Sequence, residues 1–225
     1  MKKVTLALLM VLACGLSAFA SDCIVTSYDQ YLGPGFSCGL GDTTGANFSY
    51  STSGSNQMPA TSITVNPVTT QNNPGFLFNA PWAAVGSQTQ NSLIGFTITA
   101  GGSEINDLSL FMLGGATLGG GLVTVSESYC AGDTFADLCA HGTEGTLSTY
   151  LGGGLSKLTD SVTFGAVNVV DVVKSVTLIG GGSQSFAVLG GVENQFSEVP
   201  EPGSLVLLGS GIGCLAGAMR RWVKL

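Results

Sequence analysis

The sequence predicts a mostly β protein. It reads as an antiparallel β-sandwich or jelly roll forming an exported domain, with an N-terminal signal peptide and one C-terminal transmembrane helix. Three observations carry this. Between residues 21 and 198, apolar residues alternate with Ser, Thr and Asn in short runs, the period-two pattern of strands with one buried face. Glycine runs and Asn-Pro-Gly turns punctuate those runs. Outside that span lie two uncharged apolar stretches, one near each end, each with basic residues on one flank.

In chain order, Lys2-Lys3 forms a positive n-region, Val4 to Ala13 an apolar h-region, and Ala18-Phe19-Ala20 a small-residue cleavage site. Residues 1–20 therefore read as a signal peptide, carried through the Sec export machinery and removed by signal peptidase before Ser21. Val11-Leu12-Ala13-Cys14 offers a competing lipobox with Cys14 as the lipidated residue. Cys14 leaves with the leader and Cys214 lies in the C-terminal apolar stretch, so Cys23, Cys38, Cys130 and Cys139 remain. An even number in an oxidising compartment reads as two disulfides. Three connectivities are possible, and closeness in sequence favours Cys23–Cys38 with Cys130–Cys139.

Residues 21–45 read as an irregular cross-linked loop, followed by a strand near Ala46 to Ser51. Ser62 to Val65 alternates as a strand, Asn72-Asn73-Pro74-Gly75 reads as a turn, and Gly75 to Phe78 as a short buried strand. Trp82 reads as core. Leu93 to Thr99 puts Phe96 and Ile98 on one face, with Thr97 and Thr99 on the other. Ile105 to Met112 repeats this with Leu108, Leu110 and Met112. Leu122 to Glu127 and Thr146 to Leu155 follow. Ser161 to Val170 and Asp171 to Ile179 are Val-rich, and Ser185 to Leu189 and Val192 to Phe196 close the domain. Glycine runs at 119, 152 and 180 recur at unequal intervals, so they read as turns rather than a solenoid repeat.

Residues 199–225 have three parts in fixed order. Val199, Pro200, Glu201 and Pro202 form a stiff stem, because each proline fixes its own φ and pushes the preceding residue into extended geometry. Gly203 to Met219 is an uncharged run of 17 residues, about 25 Å long as a helix, close to the minimum for crossing a bilayer. Arg220, Arg221 and Lys224 form a basic stop cluster on the cytoplasmic side. Gly209, Gly213 and Gly217 recur every four residues and would share one helix face, suited to packing against another membrane helix.

This tail resembles the PEP-CTERM sorting signal of Gram-negative bacteria, through Pro200-Glu201-Pro202, the Leu/Gly-rich segment Leu205 to Ala218, and Arg220-Arg221. The resemblance implies export and transient anchoring in the inner membrane. It also implies processing near the Pro-Glu-Pro by an exosortase, a membrane transpeptidase-like enzyme, and an association with exopolysaccharide or biofilm at the cell surface. The same tail has also been labelled the C-terminal region of ice-binding proteins.

Between residues 21 and 199, Lys157 and Lys174 stand against 13 acids, a net charge of −11. Such a domain repels nucleic acid, so none is expected as a partner. No glycine run precedes Lys-Ser or Lys-Thr, and His141 lacks a G-x-S-x-G elbow. The eight-residue gap between Cys130 and Cys139 matches no common zinc pattern. Asp133, Asp137 and Glu144 lack the spacing of a calcium loop. The acids read as solvated surface. These features predict no enzyme, no cofactor, no metal and no catalytic residue. Two readings compete, with a hydrolase the least favoured third: a structural surface or matrix protein, and a carbohydrate- or ice-binding module using an aromatic patch or a flat Thr/Ser/Asn face such as Thr97 with Thr99, or Thr61 with Thr64.

Overall fold

The computed structural model describes residues 21–70 and 73–200. The expected signal peptide with Ala18 and Ala20, Glu201 and Pro202 of the stem, Gly209, Gly213 and Gly217, and the cluster Arg220, Arg221 and Lys224 lie outside the described residues. Among the described residues no helix is long and apolar enough to cross a membrane.

Among the described residues fourteen strands make two seven-stranded sheets. In chain order they are β1 (Thr26–Ser27), β2 (Ser37–Leu40), β3 (Thr43–Gly54), β4 (Thr64–Thr70), β5 (Asn73–Val85), β6 (Thr89–Ala100) and β7 (Ser103–Leu113). Then follow β8 (Ala116–Leu118), β9 (Leu122–Ala131), β10 (Thr143–Gly152), β11 (Leu155–Lys157), β12 (Thr159–Val167), β13 (Val169–Ile179) and β14 (Phe186–Pro200). The first sheet runs β1-β4-β5-β14-β7-β12, with β8 also pairing β14; the second runs β11-β10-β9-β13-β6-β3-β2. All these pairings are antiparallel. The expected antiparallel β-sandwich is observed. The chain crosses repeatedly between sheets, so its last two strands lie inside them: β13 between β9 and β6, β14 between β5 and β7.

Strict alternation builds the core. Phe76, Phe78, Ala80, Trp82 and Ala84 of β5 are buried, as are Val170, Val172, Val176 and Leu178 of β13. Leu108, Leu110 and Met112 share the inward face of β7, as expected. One end of the sandwich is filled by rings: Phe48, Phe76, Phe78 and Phe96 meet at 5.4–6.2 Å between centroids. Tyr28 and Tyr31, on a 3-10 turn (Tyr28–Leu32), close that end and are buried. The Tyr28 hydroxyl lies 3.0 Å from the carbonyl oxygens of both Ser49 and Gly95, beside the register shift between Ala46 and Ser49 of β3. Burial holds the Tyr28 phenol far above its usual range and pushes Tyr31 up to about 12. Trp82 is core, its indole N–H donating to the Ser92 hydroxyl at 3.1 Å.

Several elements differ from the sequence reading. Residues 21–45 are not simply irregular: they hold β1, a 3-10 turn and β2. Ala60–Ser62 is a 3-10 turn rather than the start of a strand, and β4 begins at Thr64. Asn73, Pro74 and Gly75 open the 13-residue β5 instead of forming a turn. The closing region is one 15-residue strand, because the Gly190-Gly191 pair is absorbed as a register shift between Leu189 and Gly191. The three glycine runs are turns. Gly120 and Gly181 bring two of them together so closely that a Cβ on Gly181 would overlap the Gly120 backbone.

Candidate functional site

The stem is spliced onto the centre of the first sheet. Over Gly191 to Gln195, β14 is hydrogen-bonded on both sides, to β5 and to β7. From Phe196 onward only β7 continues beside it, pairing Val199 with Glu104 and Pro200 with Ser103. A proline lacks a donor and is tolerated at such a strand end. The Ser197 amide donates to Asp107 Oδ1 at 2.9 Å and its hydroxyl to Asn73 Oδ1 at 2.8 Å, fixing the last turn of the strand. Val199 is exposed. Burial, followed by the nearby Asp42 charge, pushes the Glu198 carboxyl up. The strand runs through residue 198 without a linker.

The outer face of the second sheet is a lattice of hydroxyls. Cross-strand register aligns Ser51, Leu93, Ser175, Ser126 and Ser148 in one lateral row across β3, β6, β13, β9 and β10. Ser53, Asn91, Thr177, Thr124 and Tyr150 form the next. Strand geometry sets the spacing at roughly 4.8 Å between strands and roughly 6.8 Å between rows. Asn91 Nδ2 donates to both Ser175 Oγ and Thr177 Oγ1 at 2.7 Å, which stiffens the centre of the lattice.

A disulfide loop borders that face. Cys130 pairs with Cys139 and Cys23 with Cys38, the neighbouring connectivity. Asp133 accepts from the Thr134 and His141 amides at 2.8 and 3.0 Å, and these bonds, the His141 amide first, hold its carboxyl below the usual range. Asp171 anchors the loop to the sheet: Oδ2 accepts from the Phe135 amide at 2.9 Å and Oδ1 from the Thr97 hydroxyl at 2.8 Å. Between loop and sheet is a shallow cleft of about 220 Å³, lined by Asn47, Ser49, Thr97, Thr134, Asp171 and Val173 among others. Thr97 is buried and committed to Asp171, whereas Thr99 is exposed on the same sheet. Thr61 and Thr64 are exposed, but Thr61 sits on the Ala60–Ser62 turn and Thr64 on β4 of the other sheet. The two threonine pairs do not share a face. Among the described residues no group of three or more His, Cys, Asp or Glu is placed to hold a metal ion.

One cluster escaped the sequence reading. Lys174 and Glu127 are not solvated; both are fully buried, with Nζ 3.2 Å from Oε2. Asn194, across the sandwich on β14, is equally buried and donates its Nδ2 to Glu127 Oε1 and Oε2 at 2.9 and 2.8 Å. Strand parity held the signal. Lys174 shares the inward register of Val172 and Val176, Glu127 that of Val123 and Val125, and Asn194 that of Val192 and Phe196.

Residues 198–221 match the family model described as the PEP-CTERM protein-sorting motif. Among curated proteins no match to the chain is found. Similar solved structures include TmCBM61 in complex with beta-1,4-galactotriose, at 10% identity over 64% of this chain and 86% of that one, TM-score 0.34. Another is the family 32 carbohydrate-binding module from C. perfringens NanJ in complex with galactose, at 12% over 66% and 93%, TM-score 0.24. A third is the C-terminal family 22 carbohydrate binding module of Clostridium thermocellum Xyn10B, at 9% over 80% and 94%, TM-score 0.23. At these scores the likeness carries no argument about this chain, whose fold rests on its own two sheets.

Proposed function

We propose, from the PEP-CTERM sorting motif at residues 198–221, that this chain is an exported surface or matrix protein of a Gram-negative-type bacterium, delivered through an exosortase. The observation that carries the reading is the motif's place: it continues a central strand of a disulfide-tied sandwich. A folded module is thereby joined to its sorting segment with no intervening linker. The tail anchors the chain in the inner membrane until the exosortase acts near Pro200-Glu201-Pro202. The mature domain then resides at the cell surface or outside it. Substitution of Glu201 by Ala tests this: full-length chain should accumulate in the inner-membrane fraction. Normal processing and release of the variant would overturn the reading.

The exported domain is read as non-catalytic. Asp133, Asp171 and Asp107 are committed to structural bonds, with loop amides, with Thr97 and Phe135, and with Ser197.

A second reading is favoured by the hydroxyl lattice, which suits association with exopolysaccharide. Ser, Thr and Asn side chains offer paired donors and acceptors to sugar hydroxyls. A repeating polymer engages many weak sites together. The domain's net charge of −11 selects against polyanionic polymers. The mature protein should co-sediment with its host's exopolysaccharide. The double change Ser51→Arg with Ser126→Arg, at exposed positions of one row, should weaken retention by on the order of tenfold. Retention unchanged by these substitutions would exclude this face.

A further inference from the structure

The Lys174–Glu127–Asn194 cluster is poorly explained as a device for stability. A buried ion pair gains little over well-packed apolar residues, because desolvation consumes most of its Coulomb attraction. Here two of its polar atoms also go unpartnered. Asn194 Oδ1 is buried without a hydrogen bond, and Lys174 Nζ lies at ion-pair distance from Glu127 without an aligned one. Its surroundings are apolar: Nζ sits 5.0 and 5.1 Å from the ring centroids of Phe78 and Phe96.

The same arrangement makes sense as a set of reactants. Lys174 is on β13 of the second sheet and Asn194 on β14 of the first, and both side chains meet the same oxygen, Glu127 Oε2. We propose that Lys174 and Asn194 join in an intramolecular isopeptide bond across the sandwich, with Glu127 as the proton carrier. Glu127 first takes a proton from the Lys174 ammonium, leaving a neutral amine and a carboxylic acid. The Nζ lone pair attacks Asn194 Cγ, and the new C–N bond forms as the carbonyl becomes tetrahedral. Glu127 delivers its proton to Nδ2 and takes one from Nζ. The Cγ–Nδ2 bond breaks, and ammonia leaves. The product is a secondary amide between Lys174 and Asn194; no oxidant or co-reactant is consumed.

The geometry supplies what each step requires. Glu127 accepts from the leaving nitrogen through both of its oxygens and touches the nucleophile through one, so one group serves both ends of the exchange. Burial pushes the Lys174 amine down, toward its nucleophilic neutral form, against the opposing pull of Glu127. The enclosed site also excludes the water that would compete for the amide carbon.

The test is mass spectrometry of the full chain, expressed with its leader in a Gram-negative host, purified and digested with trypsin after denaturation and reduction. An acylated Lys174 is not cut. The expected product is a peptide beginning at Leu158 that runs uncut through Lys174 and Asn194, lighter than its sequence by one ammonia. Cleavage after Lys174 together with an unmodified Asn194 would overturn the proposal. The near-isosteric Glu127→Gln variant should restore cleavage at Lys174 and the full mass. A cross-link retained in that variant would remove Glu127 from the mechanism. If the variant fails to fold, the wild-type peptide still decides the question.

Discussion

Gly75 shows how a single residue acts through a neighbouring strand. A Cβ placed there would overlap the carbonyl of Asn194 on β14, so β5 and β14 approach this closely only because Gly75 has no side chain. Gly75→Ala should therefore cost about 1–3 kcal/mol, the usual range for overpacking, read as a lower urea midpoint. An unchanged midpoint would show that β5 yields freely. The Asn-Asn-Pro-Gly sequence around it has the composition of a turn, and local composition decided that reading. The constraint that keeps Gly75 in a strand is 119 residues away in sequence, at Asn194, where no local pattern reports it. Glu127 was misread for a different reason. Its charge placed it with the solvated acids, whereas its strand parity is that of the buried Val123 and Val125.

At the scale of elements, the two sheets are bracketed along one side by Asp160 of β12. Its Oδ2 accepts from the Ser148 amide of β10 at 2.8 Å and lies 2.7 Å from Lys157 Nζ, while Oδ1 accepts from Ser161 at 3.1 Å. Burial pushes this carboxyl up, but Lys157 and the two backbone donors outweigh it and hold it below the usual range. Asp160→Asn should destabilise the fold by about 1–2 kcal/mol, the range for losing a charge-assisted bond at a partly exposed site. A carboxyl with a lowered folded pKa stabilises fully above its unfolded value of about 3.9. That contribution is lost as the pH falls through the lowered folded pKa. The difference between wild type and variant in urea denaturation should therefore be constant near neutral pH and vanish in strong acid; a difference that persists there would point to packing. The long Val-rich strands were legible because alternation is a local signal. Strands β1, β2, β8 and β11 are two to four residues long and were not, since their existence depends on partners such as Val65 opposite Thr26.

For the whole molecule, the sandwich class followed from many short alternating runs, but the strand order did not. Alternation gives faces, not neighbours, and β13 lies between strands that begin 80 and 47 residues before it. The hydroxyl lattice was hidden for the same reason, since single serines become rows only through register. The sorting stem was legible because its order of prolines, apolar run and basic cluster is linear. The position of that stem has a mechanical consequence. A mature domain held at its C-terminus while its hydroxyl face grips a polymer would be loaded between β14 and the opposite sheet. Tension would enter along β14, where the ladder to β7 runs parallel to the pull and its hydrogen bonds share the load rather than parting one at a time. It would leave through the second sheet. One route between them runs through the core, where Asn194 faces Lys174 and Glu127, so a covalent tie at that point would turn two sliding plates into one rigid body.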